Sequence, residues 1–390
     1  MSPRLPIEIW RQIFGFALDD IPDIDVVPAH QPFPTIHPGL VATPTHLSTA
    51  YSICLVSRDW HQIGAELLYH TVVVQHEHAE DILKALRRPN INGRSLGACV
   101  MELFFTFEPA IYLLDILARC RNIRYLRVSN SMATVNTNDR LDLDFNFLER
   151  IDWMGTPSNA FYSVVLRSPN LRHLFMGPSM HSLFEGVHVD RTASPVLCPS
   201  LQIFQSYNFP NQLSSSVVRP GDFPSVSHVI MSAITLNAVL RPDPLILQQL
   251  GPQISILELY SPHHTVITSM EDIATLLPNL QELRFTVCKQ SFAVTDTLRS
   301  TIRTLQVRIP PKAFVSHGPP LEGFAFIEEA LVQCLDSFCS TVNFPHLSEV
   351  VLHDEEDHLS SSQRIPSLMT LRPSFKLKRS DGRLLYGGPD

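Results

Sequence analysis

The chain of 390 residues is rich in apolar side chains and poor in charge, with 44% hydrophobic residues, 17% charged residues and a mean hydropathy of +0.06. A disordered chain would be charge-rich and poor in hydrophobes, so the composition indicates a folded protein. The net charge of −8 argues against a general nucleic-acid-binding protein, which would carry a basic face. The fold must therefore bury many apolar residues with little charge left for its surface.

The sequence predicts neither a membrane span nor a secretory signal. The most apolar uncharged stretch, 223–240, contains proline, serine, histidine and asparagine, and the N-terminus has no apolar region of the kind that a signal peptide needs. The 7 cysteines are scattered and never spaced C-x-x-C, which favours free thiols in a reducing compartment. We therefore expect a cytoplasmic or nuclear protein with no metal site and no cofactor.

The first predicted element is a helix over residues 5–17, with Pro6 at the position where a missing N–H costs nothing. Two apolar stripes run along it at helical spacing, one with Trp10 and Phe14 and a second beside it. The second stripe consists of Leu5, Ile9, Ile13 and Ala17. A helix that is apolar over so wide an arc needs two neighbours, of which one is its own module and the other can be a separate protein.

A proline-rich segment, 19–45, interrupts this pattern and predicts a long loop. Helical spacing resumes at Leu47, and Ser57 is placed to cap a further helix that carries Trp60. The β-branched run 69–74 then predicts a strand. We accordingly assign residues 1–74 to one module and 75–390 to a second domain.

These residues resemble an F-box of the kind found in fungal F-box proteins. The resemblance lies in Leu-Pro-Ile-Glu-Ile-Trp-Arg-Gln-Ile-Phe over 5–14, Leu-Val-Ser-Arg-Asp-Trp over 55–60 and Leu-Leu-Tyr over 67–69. It implies a three-helix module that docks a Skp-family adaptor and, through the adaptor, a cullin ubiquitin ligase. Carried over by position, the implied adaptor-binding residues are Leu5, Pro6, Ile9, Ile13, Leu55, Val56 and Trp60.

The remainder of the chain repeats the unit apolar-x-x-apolar-x-apolar. Successive units begin 22 to 30 residues apart, except for a last step of 45. All but the steps of 30 and 45 fall within the period of about 20–29 residues that leucine-rich repeats have. Helical patterns lie between the units, over 79–88, 110–119, 270–277 and 326–338. Alternating strands and helices at this period predict an α/β leucine-rich-repeat solenoid with a parallel sheet on its concave face, and a C-terminal pair of short strands that caps it. The array is similar to the irregular leucine-rich repeats that follow many F-boxes.

We call the three apolar positions of each unit the marked apolar positions and expect them to point into the core. Because side chains alternate along a strand, the positions between them line the opposite face of the sheet, the second sheet face. Its middle is apolar and aromatic, which is typical either of a binding surface or of a face that a loop or tail covers. The candidate substrate-binding residues on it are Tyr125, Arg127, Phe175, Tyr207, Tyr260 and Arg284.

The sequence contains no P-loop, no G-x-G-x-x-G and no H-E-x-x-H. The spacing G-x-S-x-G occurs once, over 93–97, but it follows a predicted helix and not the strand that a nucleophile elbow needs. The motif His-Glu-His at 76–78 is interpreted as a polar turn between a strand and a helix. The prediction is a non-enzymatic substrate-recognition subunit of an SCF-type ubiquitin ligase, with an adaptor, a cullin and an unknown protein substrate as partners. The alternative is a ligase-independent interaction scaffold with an F-box-like cap, and an enzyme with a novel site has the least support.

Overall fold

The structure is a computed structural model of the full chain. It describes residues 6, 9–10, 12–14, 45–89, 93, 95–106, 112–131, 144–155, 159–177, 198–206, 221, 223–232, 250–260, 270–287, 301–309, 328–333, 335, 344–354, 376–379 and 384–386. Leu5, Tyr207 and all but the last residue of the proline-rich segment lie outside the described residues.

The chain forms two compact units, each of which is described by itself. Unit 1 consists of residues 1–30, 35–201 and 222–224, and unit 2 consists of 31–34, 202–221 and 225–390. The N-terminal helices and the first strands belong to unit 1. The predicted module boundary at residue 74 stays a prediction.

Unit 1 begins with three helical segments. Residues 9–10 and 12–14 are helical, followed by α1 (Thr45–Val56) and α2 (Arg58–Leu68). The Pro6 carbonyl accepts the amides of Ile9 and Trp10 at 3.1 and 3.3 Å, so the first segment starts at the predicted proline. Ser57 caps α2 as predicted, because its Oγ accepts the Trp60 amide at 3.1 Å.

Unit 1 continues with five parallel strands in chain order, each hydrogen-bonded along its length to the next where the pairing is described. They are β1 (Thr71–Val74), β2 (Glu102–Phe105), β3 (Tyr125–Ser131), β4 (Arg150–Gly155) and β5 (His173–Met176). Three helices lie between them: α3 (Ala79–Leu86), α4 (Leu113–Arg119) and α5 (Asn159–Leu166). The His-Glu-His motif forms a one-turn 3₁₀ helix between β1 and α3, as predicted.

Unit 2 repeats the same plan with seven parallel strands and one antiparallel strand. The parallel strands are β6 (Ile203–Ser206), β7 (His228–Ser232), β8 (Ile256–Tyr260), β9 (Glu282–Thr286), β10 (Thr304–Arg308), β11 (Glu349–His353) and β12 (Lys376–Arg379). The antiparallel strand β13 (Leu384–Tyr386) pairs with β12, as the C-terminal pattern predicted. Helix α6 (Met270–Leu276) precedes β9, and residues 328–333 and 335 are helical.

The marked apolar positions of the repeats form the core of each unit. In unit 1, Leu103, Leu126, Ile151 and Leu174 lie in register on neighbouring strands and are at most 2% exposed. In unit 2, the equivalent positions Val229, Leu257, Leu283 and Leu305 are fully buried. The predicted α/β class and parallel-sheet, leucine-rich-repeat-type solenoid are therefore confirmed in each unit.

A second regularity joins consecutive repeats through side chains. The donor is the side chain of the residue immediately before the first marked apolar position of a repeat. The acceptor is a backbone carbonyl of the preceding repeat, two residues before the first marked apolar position of that repeat. The bonds are Asn122 to Ala98 (2.7 Å), Asn170 to Asn146 (2.7 Å) and Asn279 to Pro252 (2.6 Å). The Thr301 hydroxyl lies 3.3 Å from the equivalent Pro278 carbonyl and 2.6 Å from the Leu280 carbonyl of the same preceding repeat. We call the donor position the rung of a repeat. It explains why asparagine recurs before leucine or isoleucine in the sequence.

Within the described ranges, no helix combines the length and the apolar character that a bilayer crossing requires.

Candidate interaction surfaces

The N-terminal helical segments expose a group of large apolar side chains. Ile9, Ile13, Tyr51, Leu55 and Val56 are 39%, 41%, 58%, 67% and 61% exposed. We call these five residues the N-terminal apolar set. Among the described residues, Phe147 is the one other large hydrophobic side chain that is comparably exposed, at 57%.

The inward side of the same segments is closed by three aromatic rings. The rings of Trp10, Phe14 and Trp60 have centroids 4.8 to 5.6 Å apart, and they pack against Ile53. Trp10 and Phe14 are four residues apart and therefore point to the same side of their helical segment. Ile9 and Ile13 are also four residues apart, one position earlier, which turns them away from the aromatic cluster. The two stripes predicted from the sequence thus have different environments.

Helix α1 shows the same division. Ile53 and Cys54 face inward and are buried, and α2 approaches so closely there that a Cβ on Gly64 would lie 2.9 Å from the Cys54 sulfur. Burial raises the pKa of the Cys54 thiol. Leu55 and Val56 follow directly, and Tyr51 lies one turn before Leu55, so these side chains point away from α2.

The structure brings the predicted adaptor-binding residues into two environments. Ile9, Ile13, Leu55 and Val56 are exposed, as is Pro6, whereas Trp60 is partly buried in the aromatic cluster. Tyr51 was missed by the sequence analysis, although its i, i+4 spacing to Leu55 was a usable signal. The adaptor-binding role of these residues stays a prediction.

The second face of the sheet in unit 1 holds a buried ionic cluster. Arg150 Nε lies 2.9 Å from Asp152 Oδ1, its Nη2 donates to Oδ2 at 3.0 Å, and its guanidinium lies 5.0 Å from the centre of the Tyr125 ring. The Tyr125 hydroxyl donates to the same carboxylate. Burial alone would raise the pKa of Asp152, but the charge and hydrogen bonds of Arg150 outweigh it and hold this pKa below its usual value. Burial and the adjacent carboxylate raise the pKa of Tyr125, so both groups keep their ordinary charge at neutral pH.

Unit 2 has a comparable polar chain across β7 to β11. Arg284 lies 3.5 Å from Glu258 and 2.6 Å from Glu282, and His228 lies 3.4 Å from Glu258 on the other side. The chain continues because the Gln306 amide donates to Glu282. At its end, His353 Nε2 lies 2.8 Å from Gln306 Oε1. Burial, helped by Arg284 and Arg308, lowers the pKa of His353 to about 4, so this imidazole is neutral at neutral pH.

The structure distinguishes the two alternatives for the face that carries the candidate substrate-binding residues. Tyr125, Arg127, Phe175 and Arg284 are only 7%, 8%, 1% and 2% exposed, which fits a covered face and not an open one. The polar members of this group have partners there: Tyr125 and Arg284 pair with carboxylates on the same face, and Arg127 reaches the Met154 sulfur at 3.6 Å. Tyr260 lies in β8, but its side chain is not described. Tyr207 lies outside the described residues altogether. Substrate binding by any of these residues stays a prediction.

Comparison with known proteins leaves the family open. No protein-family model and no curated protein matches the chain. One similar solved structure is an internalin (inlF) from Listeria monocytogenes, with 10% sequence identity, a TM-score of 0.30, and coverage of 85% of this chain and 87% of the internalin. A similarity at this level assigns neither partners nor activity.

Proposed function

We propose that this chain is a non-enzymatic substrate-recognition subunit of an SCF-type cullin ubiquitin ligase. In this proposal the N-terminal helices dock a Skp-family adaptor, which connects to the cullin, and the repeat array binds a protein substrate. The chemistry of ubiquitin transfer then belongs to the partners. Such a protein would act in the cytoplasm, the nucleus or both.

The observation that carries the proposal is the concentration of exposed apolar side chains. Of the six large hydrophobic residues that are exposed within the described part of the chain, five belong to the N-terminal apolar set. Single exposed hydrophobes are ordinary, but a group on one short module favours a protein interface. The surrounding described side chains support this, because Gln12, Ser52 and Ser57 are exposed and uncharged.

The repeat units support the substrate half of the proposal. In each unit the strands stack in register and the marked apolar positions fill the core, so residues outside the core can vary without loss of the fold. Repeat surfaces of this kind suit the recognition of a protein partner.

The adaptor test uses substitutions on the exposed side of α1. The variant Leu55→Glu/Val56→Glu should fold like the wild type, because both side chains are exposed. It should weaken binding to a purified Skp-family adaptor by at least about tenfold, because a charge would be buried at the interface without a partner. Affinity is measured by isothermal titration calorimetry, and folding by far-UV circular dichroism and the urea midpoint.

The matched control is Phe147→Asn, which removes an equally exposed hydrophobe from the repeat array. It should leave adaptor affinity unchanged. Trp60 is a poor probe for this experiment, since its ring also packs against Trp10 and Phe14. A folded wild-type chain that binds no Skp-family adaptor would overturn the ligase proposal and favour the ligase-independent scaffold.

A further inference from the structure

Phe147 occupies the rung position of the β4 repeat. In four other repeats this position holds an asparagine or threonine whose side chain donates to a carbonyl of the preceding repeat. The two rungs on either side of Phe147 in sequence, Asn122 and Asn170, both follow the rule. Phenylalanine cannot make this bond, and its ring is 57% exposed instead. The β4 repeat therefore gives up a stabilising bond and exposes an aromatic side chain to solvent.

The described turns next to Phe147 carry a partly exposed ion pair, Asp144 with Arg167 at 3.8 Å, and further charged residues among which arginine is in excess. Arg124, Glu149 and Arg172 lie side by side on three consecutive repeats, because the Glu149 amide donates to the Arg124 carbonyl and the Arg172 amide donates to the Glu149 carbonyl, both at 2.8 Å. Arg121 comes just before the Asn122 rung. Arg121, Arg124 and Arg172 are exposed, and Glu149 is half-buried and bonded to Arg124 at 3.0 to 3.1 Å. These four charged side chains carry a net charge of +2 on a chain whose total is −8.

We infer that Phe147, Arg121, Arg124 and Arg172 form an interaction surface for an acidic protein segment that places an apolar side chain on the Phe147 ring. An exposed aromatic residue where both neighbouring repeats place a hydrogen-bonding asparagine is a local departure of the kind found at functional positions. Aromatic and arginine side chains are also the types that contribute most to binding energy at protein interfaces. The excess positive charge specifies the acidic character of the partner.

The same surface is a poor nucleic-acid site. Arg124 already bonds to Glu149, which leaves two arginines for phosphates, and the Glu149 carboxylate would repel a phosphate backbone. A peptide carboxylate can bind one arginine at a time while a neighbouring leucine or phenylalanine covers the ring. This inference rests on the repeat array being a protein-binding domain and is independent of adaptor docking.

The test uses labelled 12-residue peptides with a central leucine or phenylalanine between runs of glutamate. Matched peptides replace the central residue with alanine, or the glutamates with lysine, and a thymidine oligonucleotide serves as the nucleic-acid probe. Fluorescence anisotropy with the full chain should show the tightest binding for the acidic peptide with an apolar centre, weakening as salt is raised. The variants Phe147→Asn and Arg121→Glu/Arg172→Glu should each weaken this binding at least tenfold.

The Phe147→Asn variant separates a binding role from a structural one. It restores the rung side chain, with the Arg121 carbonyl as its expected acceptor, so its urea midpoint should equal or exceed that of the wild type while peptide binding is lost. Leu55→Glu/Val56→Glu should keep full peptide binding, which distinguishes failure of this inference from failure of the adaptor proposal. Equal affinity for alanine-centred or lysine peptides, tighter binding of the oligonucleotide, or unchanged binding by Phe147→Asn would each overturn the inference.

Discussion

At the scale of single residues, the second sheet face of unit 1 depends on the pairing of Arg150 with Asp152. Their side chains are 6% and 2% exposed, so neither charge is solvated by water. A buried pair contributes little net stability compared with apolar residues of similar size, but removal of one partner leaves an uncompensated charge. The cluster is therefore far more sensitive to single substitutions than to a joint replacement.

This asymmetry leads to a prediction for Asp152→Asn. The substitution preserves the shape of the side chain and a hydrogen-bond acceptor for Tyr125, but removes the charge opposite Arg150. We expect the free energy of unfolding to fall by about 3 kcal/mol or more, measured by urea denaturation. The triple variant Tyr125→Phe/Arg150→Met/Asp152→Leu should regain most of the loss, because no buried polar group remains. Equal destabilisation of the single and triple variants would show that shape, not charge, governs the site.

At the scale of elements, the rung bonds connect four of the described repeats to the repeat before each. They lie outside the β-ladder, at the turn that leads into each strand, and three of the four donors are asparagines. The amide suits this position because it reaches a backbone carbonyl of the neighbouring repeat without burying a charge. The repeats are thus joined both by the β-ladder and by a row of side chains at its start.

The contribution of one rung can be measured with Asn279→Ala. Loss of the 2.6 Å bond to the Pro252 carbonyl should lower the free energy of unfolding by about 1 kcal/mol, the usual net value of one hydrogen bond. Gln281→Ala, an exposed substitution two residues away, serves as the control and should change stability by less than about 0.5 kcal/mol. If Asn279→Ala and Gln281→Ala have the same urea midpoint, water replaces the rung bond without a loss in the free energy of unfolding.

The elements also show which features a sequence can predict. Helix α3 was expected over 79–88 and spans Ala79–Leu86, and α6 was expected over 270–277 and spans Met270–Leu276, because helical spacing is a local signal. The marked apolar positions likewise predicted where the strands lie. For the second sheet face the sequence left two alternatives, an open binding surface or a covered face, because an apolar and aromatic middle fits both. Parallel sheets are commonly buried on both faces, and the pairing that allows charges there joins residues on different strands, which no local pattern reveals.

At the scale of the whole molecule, the low charge content is accompanied by burial of several charged residues. Glu102, Arg127, Arg150, Asp152, Glu258 and Arg284 are all at most 8% exposed, so the surface carries even less charge than the composition indicates. Hydrophobic residues of the repeats fill the core of each unit, which accounts for a positive mean hydropathy. Among the residues that the structure describes, the N-terminal apolar set and Phe147 are the exposed exceptions, and they form the surfaces for which we propose partners.

Burial of titratable groups also makes the stability of both units depend on pH. His353 in unit 2 has its pKa lowered from 6.5 to about 4, and Asp152 in unit 1 has its pKa lowered from 3.8. In both cases the unfolded chain binds a proton at a pH where the folded chain does not, so stability falls as pH falls. The loss from His353 spans pH 6.5 to 4, and the loss from Asp152 comes below about 4. Acid should therefore act through His353 at a higher pH than through Asp152.

The His353 part of this behaviour is tested by His353→Gln. Glutamine can keep a hydrogen bond to Gln306 but does not titrate, so nothing at this position gains a proton beside Arg284 and Arg308. Between pH 7 and pH 4, the wild type should lose up to about 3 kcal/mol more free energy of unfolding than the variant, as measured by urea denaturation at each pH. Asp152→Asn should keep the wild-type dependence of the free energy of unfolding on pH between 7 and 4, because the Asp152 carboxylate that it removes titrates at lower pH. Parallel pH profiles for the wild type and His353→Gln would mean that the imidazole is solvated well enough in the folded chain to titrate normally.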